Sequence, residues 1–189
     1  MSEIRVDTIS EKTSANGVAI DSVTLKDGGA TLTDNITFSA SGKGVHLGVT
    51  TATASNLLDD YEEGSWTPTT NTGQGLTVNG AKYTKIGQFV FLNFYVALTT
   101  ISSTSSDRLE IGGLPFTSNN QSVYGMGVIS YMGGVNFNDQ TGPLVAPNST
   151  DMYFHQNDGT TATISINEMN SRSSGGVPLL GGVVYQVPE

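Results

Sequence analysis

The chain has 189 residues, of which 37% are hydrophobic and only 13% are charged, and its formal net charge at pH 7 is -9. Its eight lysines and arginines are scattered with no two adjacent, so the clustered cations that neutralise phosphates are missing and we expect no nucleic-acid partner. Because the chain has no cysteine, disulfides, cysteine-based zinc sites and thiol nucleophiles are excluded.

The composition predicts a soluble all-β protein. No stretch approaches the roughly 18 consecutive apolar residues of a membrane-spanning helix, and the first residues include acidic side chains in place of the apolar segment of a signal peptide. We therefore expect no membrane insertion, and synthesis in the cytoplasm. The 23 glycines and the many serines, threonines and asparagines favour strands and turns over helices.

Residues 1–58 predict a thin β arm. Apolar and polar side chains alternate over short stretches that glycine-containing turns separate. Each predicted strand has two or three apolar side chains, and ribbons of so few strands are marginal alone. We expect the arm to pack against partner chains, and a disordered N-terminal tail is the alternative. Its later strands are predicted around Leu32, Ile36 and Phe38, and around Val45, Leu47 and Val49.

The run DDYEEGSWTP at positions 59–68 marks a junction between the arm and a C-terminal module. Ser55 and Asn56 have the side chains of helix caps, so we predict one helical turn over 57–63 that ends at Gly64. The four carboxylates in 59–63 lack the alternate spacing and the internal glycine of a calcium loop, which favours a solvated acidic collar over a metal site. The apolar residues expected to pack at the base of the next module are Leu57, Leu58, Tyr61 and Trp66.

Residues 69–189 predict a β-sandwich head. Two long antiparallel strands are expected at 76–87 and 88–98, joined at Gly87 and Gln88. The second strand has apolar side chains on both faces, so we predict that a facing sheet covers one face and a neighbouring subunit the other. Short strands separated by frequent turns favour an antiparallel sandwich, with a jelly roll as the expected topology. Further strands are predicted at 108–111, 123–135, 143–145, 152–155, 161–166 and 183–187.

Several motifs resemble one class of protein. The run at 59–68, then YTKIG at 83–87 with a hydrophobic strand behind it, then IGGLPFT at 111–117, closely resembles the terminal domain of tail-fibre and related virion structural proteins of bacteriophages and prophages. The opening IRVDTI at 4–9 and GVAIDSVTLKDG at 17–28 look like the fibre-shaft or anchoring arms of marine phages such as cyanophages. Together these motifs cover most of the chain.

The resemblance implies a homotrimer in the virion, assembled in the host cytoplasm. The arm would anchor to other virion proteins or form a shaft, and the head would be displayed for attachment to a host-surface glycan or protein. A shaft of about 50 residues at roughly 3.3 Å per residue is short, which leaves open a stubby tail spike, a capsid-surface fibre or a collar appendage. A purely architectural subunit without receptor binding is the alternative. The implied anchoring residues are Ile4, Val6, Ile9, Val18, Ile20, Val23 and Leu25.

We expect no enzymatic activity, no cofactor and no metal ion. The two histidines, His46 and His155, belong to different modules, and no Gly-x-Ser-x-Gly elbow occurs. A polysaccharide depolymerase, the catalytic alternative, needs two carboxylates roughly 5 to 10 Å apart, and no spacing in the head predicts such a pair. Its carboxylate candidates are Asp107, Glu110, Asp139, Asp151, Asp158 and Glu168.

A glycan or protein receptor is expected to bind near aromatic and amide side chains of the head. Aromatic rings pack on the apolar face of a sugar, while amides and hydroxyls bind its edges. The tyrosines have an alternative role, packing between sheets or subunits. The candidate binding residues are Tyr131, Asn136, Asn138, Tyr153, His155 and Asn157.

Overall fold

The structure is a computed structural model that describes residues 32–70, 74–100, 108–133, 140–157, 161–165 and 176–188. The chain divides into two units, Met1–Thr37 and Phe38–Glu189, and only residues 32–37 of the first are among those described. The seven candidate anchoring residues, Ile4 to Leu25, therefore lie outside the described residues. The domain boundaries at 58/59 and 68/69 stay a prediction.

The predicted all-β class is confirmed. The described residues contain strands, one short 3-10 turn at Ala54–Asn56 and no α-helix, and none of them belongs to a helix long and apolar enough to span a membrane. The strands are β1 (Val45–His46), β2 (Leu57–Leu58), β3 (Tyr61–Ser65), β4 (Thr69–Thr70), β5 (Leu76–Ile86), β6 (Phe89–Leu98), β7 (Glu110–Gly112), β8 (Gly125–Met132), β9 (Gln140–Val145), β10 (Met152–Asn157), β11 (Thr161–Thr163) and β12 (Val177–Gln186).

The head is one antiparallel sheet that curls strongly into a half-barrel. Its strand order is β3-β5-β6-β12-β8-β9-β10-β7-β4, with β11 also paired to β10, while β1 and β2 form a separate two-stranded sheet. The sequence predicted a sandwich of two sheets; the described strands of the head, β3 to β12, instead make one. A curled sheet encloses a core between its own walls, so core residues from β6 and from β10 belong to one cluster.

Two bulges at neighbouring levels explain part of the curling. Asn79 is an extra residue in β5, between Val78 and Gly80, and Ser130 is an extra residue in β8, opposite Leu180 and Gly181. Bulges bend a strand and increase its twist. Gly181 is required there because a Cβ would lie 2.5 Å from the Val128 carbonyl oxygen.

The β5–β6 hairpin matches its prediction, whereas β12 is longer than predicted. Ile86 pairs with Phe89 across the two-residue turn, where Gly87 has a φ of 54°, a conformation that glycine adopts without strain. The strand predicted at 183–187 begins at Val177, because Gly181 and Gly182 continue the ladder between β6 and β8. β12 is therefore central.

The core lies on one face of the sheet, which we call the inner face. Alternate side chains of β6 and β12 point to it, as period-two geometry requires, and Trp66 packs edge-to-face on Phe94 with ring centroids 6.5 Å apart. The most deeply buried large side chains there are Tyr185, Phe154, Leu92, Leu98, Leu109, Ile111, Met152, Ile164, Leu179 and Val90.

The helical turn predicted over 57–63 is wrong. Leu57 and Leu58 form β2, residues 61–63 belong to β3, and β3 pairs with β5 from Tyr61 opposite Ile86 to Ser65 opposite Lys82. Ladder hydrogen bonds with a long neighbouring strand outweigh the weak local preference for one capped turn. Trp66 is buried as expected, but Leu58 and Tyr61 are exposed, so the packing prediction fails for those two side chains.

The described part of the arm within Phe38–Glu189 buries little. β1 and β2 pair over only two residues each, and the strands predicted around Phe38 and through Leu47 and Val49 are absent among residues 38–58. Phe38, Val45, Leu47 and Val49 are exposed. Within residues 32–37, Leu32 and Ile36 are exposed and no strand forms either. These residues form no core of their own, as the sequence predicted.

Candidate functional site

The outer face of the sheet, opposite the core, carries large apolar side chains over β5, β6, β12 and β8. On β6 these side chains are 41–45% exposed, and on β8 Met126 and Val128 reach 65% and 67%. Val184 of β12 links Phe91 to Met126, and Leu180 links Tyr95 to Tyr131, in continuous cross-strand rows. We call this surface the outer apolar face; its exposed members on β6 and β8 are Phe89, Phe91, Tyr95, Met126, Val128 and Tyr131.

The outer apolar face carries almost no charge. Among the described outward positions of β5, β6, β12 and β8 there is no carboxylate, and Lys82 is the single charged residue. Its ammonium donates to the Ser65 hydroxyl at 2.7 Å. The whole chain has 17 acidic residues against eight basic ones. The absence of carboxylates from the described positions of this surface is therefore a local feature of the sequence.

A shallow depression interrupts the outer apolar face. Its volume is about 490 Å³, and it lies where Gly182 takes the place of a side chain between Asn93 and Val128. Gly182 is required because a Cβ would lie 2.8 Å from the Leu92 carbonyl oxygen. Its lining includes Gly80, Lys82, Asn93, Val128, Ser130 and Gly182.

Two candidate binding residues, Tyr153 and His155, lie together on β10. They are alternate residues of one strand, with ring centroids 6.4 Å apart. The Arg108 guanidinium carbon lies 4.5 Å from the centroid of the Tyr153 ring, and its Nε donates to the Glu110 carboxylate. Because Arg108 covers one face of the Tyr153 ring, that face is closed to sugar stacking. The cluster offers hydrogen-bond donors instead.

The Tyr153 hydroxyl keeps its proton well into the alkaline range. Burial raises its pKa most, proximity to Tyr124 raises it further, and Arg108 opposes both. Sequence reasoning did not single out Arg108 for this cluster, because its partner on β10 is distant in the chain. The spacing of Arg108 and Glu110 by two residues was the available signal that they share a face.

The remaining candidate residues do not join the cluster. Tyr131 is on β8, two strands from β10, and strands lie roughly 5 Å apart. It neighbours Leu180 and, across β12, Tyr95. Asn136 and Asn138 lie outside the described residues. Asn157 ends β10, where its backbone pairs with Gln140 and Thr161. The structure thus brings two of the six residues together and sets Tyr131 apart.

No catalytic arrangement is apparent in the part of the chain that the structure describes. His46 is in β1 and His155 in β10, and no three metal-ligating side chains come together there. Glu110 is paired with Arg108, and an Asp151 carboxylate oxygen lies against Gly112. The other four hydrolase candidates, Asp107, Asp139, Asp158 and Glu168, lie outside the described residues.

Two polar residues of the inner face, Lys85 and Tyr185, have structural partners. Buried Lys85 pairs with Asp60 and lies 5.7 Å from the Phe116 ring centroid. The Tyr185 hydroxyl donates to the Phe116 carbonyl oxygen at 3.0 Å and accepts from the Phe116 N–H at 3.3 Å. These contacts hold the segment between β7 and β8 against the sheet.

Comparison with known proteins finds no matching family model, no matching curated protein and no matching solved structure. The resemblance to phage virion proteins rests on the motifs quoted above.

Proposed function

We propose that this chain is a structural subunit of a bacteriophage particle, a homotrimeric tail fibre or spike whose head attaches to the host surface. It would be assembled in the host cytoplasm and joined to other virion proteins through its N-terminal arm. The observation that carries the proposal is the outer apolar face, because such a surface needs a partner. The motif resemblance supports the choice of a virion protein, and the head is a curled sheet where the resemblance implies a β-sandwich.

The described part of the arm supports the same proposal. Val45, Leu47 and Val49 lie in or beside a two-residue ladder and remain exposed. Isolated ribbons of this kind gain stability when their apolar side chains pack against other chains. A subunit of an assembly requires such contacts, whereas a monomeric enzyme or binding protein would leave them in water.

Attachment is proposed at the cluster of Tyr153, His155 and Arg108. It lies on β10 and its neighbour, beyond the four strands of the outer apolar face, so an assembled particle leaves it available. Its guanidinium, imidazole and protonated phenol suit the hydroxyls of a glycan or the polar groups of a protein receptor.

A purely architectural role is the second candidate function. It is favoured by the Arg108 guanidinium that closes one face of the Tyr153 ring, since aromatic platforms for sugars need an open ring face. In that role the chain would decorate a capsid or a tail and bind only other virion proteins.

The first test is the solution mass of the full chain by multi-angle light scattering. A mass of three times 19.8 kDa supports the trimeric fibre, and a stable monomer at all concentrations contradicts it. A glycan array then separates the two roles. Attachment predicts binding that is lost in a Tyr153→Ala, His155→Ala double variant and kept in Tyr61→Ala, a control at another exposed tyrosine. No glycan signal, together with incorporation into particles, supports the architectural role.

A further inference from the structure

We propose that copies of this chain associate through the outer apolar face, with a side chain of one copy seated in the depression beside Gly182 of the next. This inference rests on the proposed homotrimer and goes beyond it by assigning the surface that makes the contact. The occupant of the face is a second copy of the chain.

The exposed area is of the size that stable association needs. Large apolar side chains expose roughly 150–250 Å² each when free, so the six exposed members at 41–67% exposure present on the order of 600 Å². A stable interface buries about 800 Å² from each partner. Leu180, Val184 and the smaller residues between the six add the remainder.

The charge distribution favours a second copy. Two chains that each carry a net charge of -9 repel, and a surface without carboxylates is where two copies meet the least repulsion. The outer apolar face has none among its described positions, and its aromatic and methionine content is typical of interface centres. Glu63 beside Thr84 and Glu110 beside Tyr153 lie on strands toward the two ends of the sheet, beyond the face.

The face carries projecting side chains beside a recess. Met126 and Val128 are its most exposed side chains, and the depression at Gly182 begins one strand away. A surface that carries both a projection and a recess can pair with identical surfaces around a three-fold axis, each copy contributing both parts.

A free ligand fits the depression less well than a protein side chain does. Lys82, Asn93, Ser130 and the phenol of Tyr95 supply its polar groups, and its remaining lining comes from apolar side chains and glycine backbone. Ligand specificity depends on convergent polar groups, whereas a buried apolar side chain needs only shape and exclusion of water.

A matched pair of valine variants tests the surface in the full-length chain. Val128→Glu places a carboxylate on the outer apolar face, while Val123→Glu places one at a 53% exposed valine outside the strands. We expect light scattering to give a monomer for Val128→Glu, corresponding to association at least about 100-fold weaker, and an unchanged trimer for Val123→Glu. Far-UV circular dichroism checks that both are folded.

A second pair tests the depression without adding charge. A Cβ at Gly80 would meet no atom within 4 Å, and the φ of Gly80 is not in the left-handed region, so the isolated subunit tolerates larger residues there. Gly80→Leu fills the depression and should weaken association about 10- to 100-fold. Gly80→Ala should leave it almost unchanged.

The outcomes separate this inference from the proposed function. A trimer that persists in both Val128→Glu and Gly80→Leu overturns the inference and leaves the trimeric fibre standing, with the arm as the source of association. A monomeric wild-type chain overturns the inference. The glycan array and particle incorporation then test the virion role independently. If Val128→Glu unfolds, Gly80→Leu decides alone.

Discussion

The two faces of β6 are both largely apolar, but one is buried and the other is exposed. Val90, Leu92, Phe94 and Val96 on the inner face are buried, while Phe89, Phe91 and Tyr95 on the outer face remain exposed. The apolar side chains of this strand therefore fall into two groups. The inner group packs within the chain, and the outer group remains exposed.

The largest effect is expected for a phenylalanine on the inner face. Phe94→Ala removes a buried ring that packs on Trp66 and should lower the free energy of unfolding by about 3–5 kcal/mol. Phe91→Ala, three residues away on the outer face, should cost much less in the isolated subunit. Denaturant unfolding at several protein concentrations measures both: the Phe94→Ala loss should be independent of concentration, and the Phe91→Ala loss should grow with association. Equal and concentration-independent losses would contradict the assignment of the two faces.

A smaller effect is expected when one buried hydroxyl is removed. Tyr185→Phe leaves the Phe116 carbonyl and N–H without this partner and should cost about 1–3 kcal/mol of unfolding free energy. Tyr95→Phe is the control on the outer face and should be close to neutral. A neutral Tyr185→Phe variant would mean that the hydroxyl does not hold the segment containing Phe116.

The same residue predicts a loss of stability at alkaline pH. Burial raises the pKa of Tyr185 above its ordinary value of 10.0, so the folded state keeps a proton that the unfolded state releases. Stability from this group is therefore complete below pH 10 and falls as the pH rises above it. Unfolding curves from pH 8 to 11.5 should show this fall in the wild type and a shallower one in Tyr185→Phe. An identical fall in both would assign the pH dependence to other groups.

The smallest effect is expected at the β10 cluster. Arg108→Gln removes the cation above the Tyr153 ring and should cost about 0.5–1 kcal/mol. Because Arg108 lowers the pKa of Tyr153, the variant should titrate that tyrosine at higher pH. Ultraviolet absorbance at the phenolate band, compared with a Tyr153→Phe variant to assign the signal, measures the shift. A pKa that does not move would show that the two groups are uncoupled in solution.

Local patterns in the sequence predicted the parts of the fold that local physics determines. The β5–β6 hairpin follows from alternation on either side of Gly87. The sequence pattern also indicated that the outward side of β6 is apolar. The strand predicted at 183–187 omitted Gly181 and Gly182, and glycine in the interior of a strand usually weakens it. Their role depends on Val128 and Leu92 of neighbouring strands, which the local sequence does not reveal.

The candidate site was predictable to a similar extent. Tyr153 and His155 share a face because they are two residues apart in one strand, which a pattern can indicate. Tyr131 was grouped with them by residue type alone, and the strand order separates it. Arg108 reaches Tyr153 through the order of β7 and β10, a long-range arrangement that composition and spacing do not specify.

The two bulges also determine which residue meets which. In most strands, one apolar and one polar face fix the pairing, since a slip of one residue would expose the core. β6 lacks this specification, because its outer side chains are largely apolar, as its inner ones are. The extra residues Asn79 and Ser130 and the close approach at Gly181 supply the missing specification. Without the bulge, Ser130 would pair with Leu180, and Tyr131 and Met132 would exchange the outer and inner faces that they now occupy.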